Sequence, residues 1–140
     1  MVISAKLGMH FTIVSPRELW PDNELKNLCE GFAKTSGSTI IITDEIESGV
    51  NGADAIYTDV WVSMGEEALK AERIRMLSPY QVNAELMAKT GNKACIFLHC
   101  LPAVKGEEVT FDVIEGPQSK VFEEAENRKH TIKAIILATL

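Results

Sequence analysis

The sequence predicts an α/β fold: a doubly wound, open parallel sheet of four to five strands with helices on both faces. Three observations predict it. Short apolar, β-branched runs alternate with stretches whose apolar residues recur at helical spacing, the pattern of strand-helix-strand units with right-handed crossovers. The runs are apolar at successive positions rather than at every second one, as in strands covered on both faces. No internal repeat, low-complexity tract or linker interrupts the 140 residues, which read as a single domain, 1–140.

Taken in order, residues 1–7 suit a short helix ended by Gly8, which adopts positive φ at low cost. Residues 11–15 read as a strand. After the Leu19-Trp20-Pro21 turn, Asp22 is a good N-cap, and Leu25, Leu28, Cys29, Phe32 and Ala33 form the apolar face of a helix that ends near Gly37. Residues 39–43 are a β-branched run suited to burial on both faces. Asp44 is placed to cap a short helical stretch to Ser48, closed by Gly49. Residues 53–58 form the third strand. Residues 66–77 are charged and helical, stopped by Pro79, and residues 83–89 form another helix, ended near Gly91. Residues 94–98, Ala-Cys-Ile-Phe-Leu, are the fourth strand. In the polar, turn-rich stretch 104–118, Val109 marks a possible fifth strand and residues 111–115 one helical turn. Val121, Phe122, Ala125, Ile132, Ile135 and Ile136 then mark an amphipathic helix running to the last residue. The outline is Rossmann-like. Both ends read as cut: the first element is a helix where a strand is expected, and the last is the uncapped apolar run 134–140.

Composition excludes several classes. With 46% apolar and 24% charged residues the chain is an ordinary soluble globular sequence. A net charge of −6 argues against nucleic acid as a partner, since that surface needs clustered Lys and Arg. No apolar run approaches the roughly 20 residues that span a bilayer, and no signal-peptide pattern opens the chain. Cys29, Cys95 and Cys100 are odd in number and lack metal-site spacing, which suits free thiols in a reducing cytoplasm. No Gly-x-Gly-x-x-Gly follows a strand, so a dinucleotide-binding reading fails.

In an open α/β sheet, ligands bind beyond the carboxyl ends of the strands. Two segments leave predicted strands there: Asp59-Val60-Trp61-Val62-Ser63-Met64-Gly65 and His99-Cys100-Leu101-Pro102. Each residue also has a plainer role. Cys100 would serve as a small buried hydrophobe, Asp59 as a helix N-cap, Trp61 as a packing residue and His130 as a helix-face residue. On their helix Glu124, Arg128 and Lys133 would form surface pairs of the i,i+4 type. Against this, Cys100 follows the strand end beside a Leu-Pro bond that is open to the cis form, where backbone carbonyls leave the ladder. Arg128 lies one turn beyond the apolar stripe, and its planar guanidinium suits a phosphate or carbonyl oxygen.

Segments 59–65, 99–103 and 125–131 match, in order and approximate spacing, three motifs of the ornithine carbamoyltransferases. Glu18-Leu19-Trp20-Pro21 and Pro79-Tyr80-Gln81-Val82-Asn83 are similar too. The chain resembles the C-terminal, ornithine-binding domain of that family over essentially its whole length. The resemblance implies a transferase moving the carbamoyl group of carbamoyl phosphate to the δ-amine of L-ornithine, giving citrulline and phosphate. It implies Cys100, Asp59 and Arg128 as catalytic residues, and Asp59, Ser63, Met64, His99, Cys100, Leu101 and Arg128 as substrate-binding residues. Asp59 would receive the amino-acid end of ornithine under a loop carrying Ser63 and Met64. Cys100 would lie near the δ-amine, the Cys100 and Leu101 carbonyls would hold the carbamoyl NH₂, and Arg128 would polarise carbamoyl phosphate. No metal or organic cofactor is implied, and the parent assembly would be a homotrimer or larger. The family's Ser-Thr-Arg-Thr-Arg and His-Pro-x-Gln segments do not occur in these residues, so a carbamoyl-phosphate domain N-terminal to them is expected as a partner and the chain alone is expected to be inactive. A non-catalytic amino-acid-binding module and a carbamoyltransferase for a related amine are the alternatives.

Overall fold

Glycines end the first two helices and polar side chains open two of the helices in the computed structural model, which describes residues 1–62, 65 and 67–140. Its packing falls into two compact units, Met1–Asn51 and Gly52–Leu140, described separately below.

In the first unit α1 (Val2–Leu7) ends at Gly8, whose φ of 78° places it in the left-handed region that favours glycine. Strand β1 (Phe11–Val14) follows, then a 3-10 turn at Arg17–Leu19. Helix α2 (Asn23–Ser36) opens on the Asp22 carboxylate, which accepts from the Leu25 amide, and ends at Gly37, again left-handed. Strand β2 (Ile40–Thr43) pairs in parallel with β1, Phe11 opposite Ile40 and Val14 opposite Thr43. Buried Ala5, Cys29 and Ala33 join α1 to α2, and Phe32 and Ile40 pack on them. Short α3 (Ile46–Val50) lies on the other side. Its Gly49 is so close to Val14 and Thr43 that a Cβ would come within 2.6 and 2.9 Å of their methyls. Ile40 and Thr43 stand three apart on one strand and point oppositely, so helices cover both faces of this ladder.

Two expectations are corrected here. Asp44 does not cap α3. Glu45 occupies that position, its amide donating to the Thr43 hydroxyl, while Asp44 accepts from Arg17 at 2.7 Å. The Arg17 guanidinium takes the carboxylate into an exposed ion pair in place of a cap. Ile41 is 51% exposed, so β2 is not buried along its whole length.

In the second unit β3 (Ala55–Thr58) pairs in parallel with β4 (Ile96–His99), Thr58 opposite His99. Between them lie a 3-10 turn at Glu67–Leu69, α4 (Lys70–Leu77) and α5 (Ala84–Lys89). The Asn83 side chain caps α5 by accepting from the Leu86 amide. Of the helix expected over 66–77, residue 66 lies outside the described residues, 67–69 form the 3-10 turn and the α-helix starts at Lys70. Beyond β4 come α6 (Phe111–Ile114) and α7 (Val121–Thr139). Val109 forms isolated parallel bridges to Val82 and Lys105 and no strand. On its free edge β4 is met by the segment entering α7: the Phe97 amide donates to the Gln118 carbonyl at 2.8 Å, and the Lys120 amide to the Phe97 carbonyl at 2.9 Å. The expected strands are therefore present as two parallel pairs joined through helices. Among the described residues, no helix is long and apolar enough to cross a membrane.

Candidate functional site

The site lies in the second unit, where β3 and β4 end side by side. Parallel pairing in register brings the residues after Thr58 and His99 to one place, so Asp59 and Cys100, 41 positions apart, meet there. The Cys100 thiol donates to Asp59 Oδ1 at 3.1 Å, and the same oxygen accepts from the Val60 amide at 2.7 Å. No cation pairs with Asp59 among the described residues. Burial pushes the Cys100 thiol above its ordinary pKa, and its hydrogen bond to Asp59 pushes the same way. A neutral thiol therefore faces an exposed carboxylate.

Tyr57, on β3, joins them. Its phenol is pushed upward, first by burial and then by its hydrogen bond to Cys100 and the nearby carboxylates of Glu124 and Asp59.

Behind Cys100, His99 is fully buried. Its Nδ1 accepts from the Leu101 amide at 2.9 Å, so that nitrogen carries no proton and the ring proton lies on Nε2. Nε2 then donates to Glu108 Oε1 at 3.2 Å. Glu108 is also wholly buried, and the same oxygen accepts from the Val104 amide at 2.6 Å, while Oε2 has no partner among the described residues. Together these bonds clamp both ends of the turn 101–104. Within it Leu101 has a φ of 53° and the Leu101-Pro102 bond is cis. No described N–H donates to the Cys100 or Leu101 carbonyl, so both remain open acceptors.

The donor atoms of Asp59, His99 and Cys100 lie within 4.8 Å of one another. His99 is committed through both ring nitrogens, which leaves two donors where a zinc site takes three or four protein ligands.

Of the residues picked from the sequence, Asp59, Cys100 and Leu101 come together. His99 stands behind them with no exposed surface, a support rather than a contact residue. Ser63 and Met64 lie outside the described residues. Arg128 is exposed on α7 and forms no ion pair with Glu124. Glu124 instead accepts from the His99 backbone amide at 3.0 Å, which corrects the surface-pair reading. Sequence reasoning missed Tyr57, Glu108 and the role of Glu124. Tyr57 had a signal, two residues before Asp59 and so on the same face of the strand. Glu108 had none beyond its neighbour Val109.

The family model described as Aspartate/ornithine carbamoyltransferase, Asp/Orn binding domain, matches residues 1–139. The chain belongs to this family. It is 62% identical over 140 residues to an ornithine carbamoyltransferase of Pseudothermotoga lettingae, covering 100% of this chain and 45% of that protein. The anabolic ornithine carbamoyltransferase of Campylobacter jejuni superposes with a TM-score of 0.88 at 32% identity, over 96% of this chain and 44% of that one. The ornithine carbamoyltransferase of Pyrococcus furiosus gives 0.87 at 42% identity, over 94% and 42%. The chain thus spans just under half the length of the curated relatives it matches.

Proposed function

We propose that this family domain is the ornithine-binding half of a carbamoyltransferase site, which joins the δ-amine of L-ornithine to the carbamoyl group of carbamoyl phosphate. The observation that carries this reading is the Asp59–Cys100 contact of 3.1 Å at the paired ends of β3 and β4, with no cation on the carboxylate among the described residues. A carboxylate in that state attracts an alkylammonium ligand. The uncharged thiol beside it tolerates an amine that has lost its proton.

The amine is inert until deprotonated, its free pKa being close to the ~10.4 of lysine. Once neutral, its nitrogen attacks the carbamoyl carbon. A C–N bond forms, the bond from carbon to the phosphate oxygen breaks, and phosphate leaves with that electron pair. The proton surrendered by nitrogen passes to the Asp59–Cys100 pair or to water; general-base assistance of this kind is worth about 10²- to 10⁴-fold. Holding both substrates against one turn adds the advantage of orientation. The open Cys100 and Leu101 carbonyls accept from the carbamoyl NH₂, and Arg128 polarises the carbamoyl phosphate. Ser63 and Met64 belong to the ornithine side of this reading. Its further terms are a place in arginine metabolism, a cytoplasmic setting, no nucleic-acid partner and a parent assembly of three or more subunits. Family membership and the acidic charge support them.

Asp59→Asn in the full-length protein tests the reading. Loss of a charge-assisted partner costs roughly 1.5–3 kcal/mol, so ornithine binding measured by calorimetry should weaken at least about tenfold while carbamoyl phosphate stays within about twofold. Equal loss of both ligands would make Asp59 a structural residue. The 140 residues alone should form no citrulline, because Arg128 is the one phosphate ligand this reading assigns to them and a preorganised anion site needs several.

A further inference from the structure

Helix α7 is anchored to β4 at its entry. The segment before it is bonded to Phe97, and its first residue, Val121, is 2% exposed. One turn on, Glu124 reaches back to the His99 amide at 3.0 Å. From residue 125 to the end every position is exposed. The described side-chain bonds beyond Glu124 stay within the helix: His130 with Glu126 at 3.6 Å, Thr131 with Asn127 at 2.9 Å and Thr139 with Ile135 at 2.9 Å. Glu124 is therefore the last point, among the described residues, at which α7 is tied by a side chain to the strand end that carries the site.

Arg128 stands four residues further, on the same face of the helix and about 6 Å along its axis. The direction of a rod is set by two points of attachment. Here the first is the entry at Lys120 and Val121, and the second is the Glu124 carboxylate. A carboxylate accepting a backbone N–H makes a charge-assisted bond that is short and directional. The bond also ends on the residue next to Cys100, so one peptide unit links the helix to the thiol.

We propose that Glu124 is a positioning residue that fixes where Arg128 stands relative to the Cys100–Leu101 turn, through its bond to the His99 amide. This rests on the reading of Arg128 as a ligand of carbamoyl phosphate. The role differs from merely satisfying a strand-end amide, because it predicts an effect on one substrate and not the other.

The test is steady-state kinetics of the full-length protein with both substrates varied, beside calorimetric binding of carbamoyl phosphate. Glu124→Ala should raise KM and Kd for carbamoyl phosphate at least tenfold and leave KM for ornithine within twofold. Glu124→Asp keeps the charge but is one methylene too short, and should behave like the alanine variant. Glu124→Gln keeps an acceptor oxygen in place and should restore both constants to within threefold of the parent. An active parent whose Ala and Asp variants keep carbamoyl phosphate affinity within twofold, or lose both substrates equally, overturns the Glu124 assignment alone. A parent that neither binds carbamoyl phosphate nor forms citrulline overturns the functional reading and this inference with it. Should the alanine variant not fold, the Asp and Gln pair decides by the same criteria.

Discussion

Two strands of this chain end on the same dipeptide, Thr43-Asp44 after β2 and Thr58-Asp59 after β3, and the two aspartates do different work. Each follows a strand with a parallel neighbour in register, so each meets whatever that neighbour delivers. The turn after β1 delivers Arg17, and Asp44 is neutralised by it at 2.7 Å. The turn after β4 delivers Cys100, whose thiol donates to Asp59 at 3.1 Å and brings no positive charge. An acid at a strand end therefore meets a cation or a neutral donor according to what the neighbouring strand delivers, and its own local sequence does not decide which.

The comparison is tested most severely behind the second aspartate, where the turn bearing Cys100 hangs on a buried pair with no counterpart at Asp44. Glu108→Ala would leave the His99 Nε2–H and the Val104 amide unpaired in the interior. Each buried donor left unsatisfied costs roughly 1–3 kcal/mol, so the denaturant midpoint should fall clearly. Glu107→Ala, which removes a partly exposed pair with Lys70, should shift it by at most about 1 kcal/mol. Equal midpoints for the two variants would show that the turn does not depend on Glu108.

A smaller effect separates the two aspartates by chemistry. Because burial and Asp59 both hold the Cys100 thiol protonated, its alkylation by iodoacetamide should be slow at neutral pH and rise only above the ordinary thiol range. Asp59→Asn removes the charge and should speed alkylation about three- to tenfold by lowering the thiol pKa. Asp44→Asn should leave the rate unchanged. Cys95, whose thiol is pushed upward by burial and is 0% exposed, should stay unlabelled in every variant. A rate indifferent to Asp59 would mean that the 3.1 Å contact has no electrostatic consequence.

The smallest effect belongs to Asp44. Its carboxyl is held below the usual range by the hydrogen bond from Arg17, so the folded chain binds that proton less readily than the unfolded chain. The stabilisation is present above the unfolded carboxylate value and is lost as pH falls through the lowered folded value. Melting curves of the parent and Asp44→Asn should differ slightly near neutrality, converge in acid, and converge also in high salt, because the pair is solvent-exposed.

What the sequence made legible follows the same division. Strand and helix identities came from runs and periodicity, and Asp22, Gly8 and Gly37 announced helix ends because caps act through local geometry. Cys100 and Asp59 were legible as strand-end residues of a parallel sheet. Illegible were the pairings that depend on long-range packing. Nothing in Glu107-Glu108 says that one carboxylate is interior and the other partly open. Asp44 looked like a cap because Arg17, 27 residues away, is invisible to local reading. Glu124 looked like a partner for Arg128 because helical spacing allowed it, whereas the nearer claim came from a backbone amide on β4.

Leucine at position 101 occupies a backbone region that a residue with a side chain visits seldom, at a cost of order 1–2 kcal/mol. Glycine would take that shape freely, and many other shapes as well. With leucine held by the His99 ring, the number of conformations open to the turn is cut while the chain folds, before any ligand arrives. The ordering entropy of this turn is then a charge against folding stability and not against affinity.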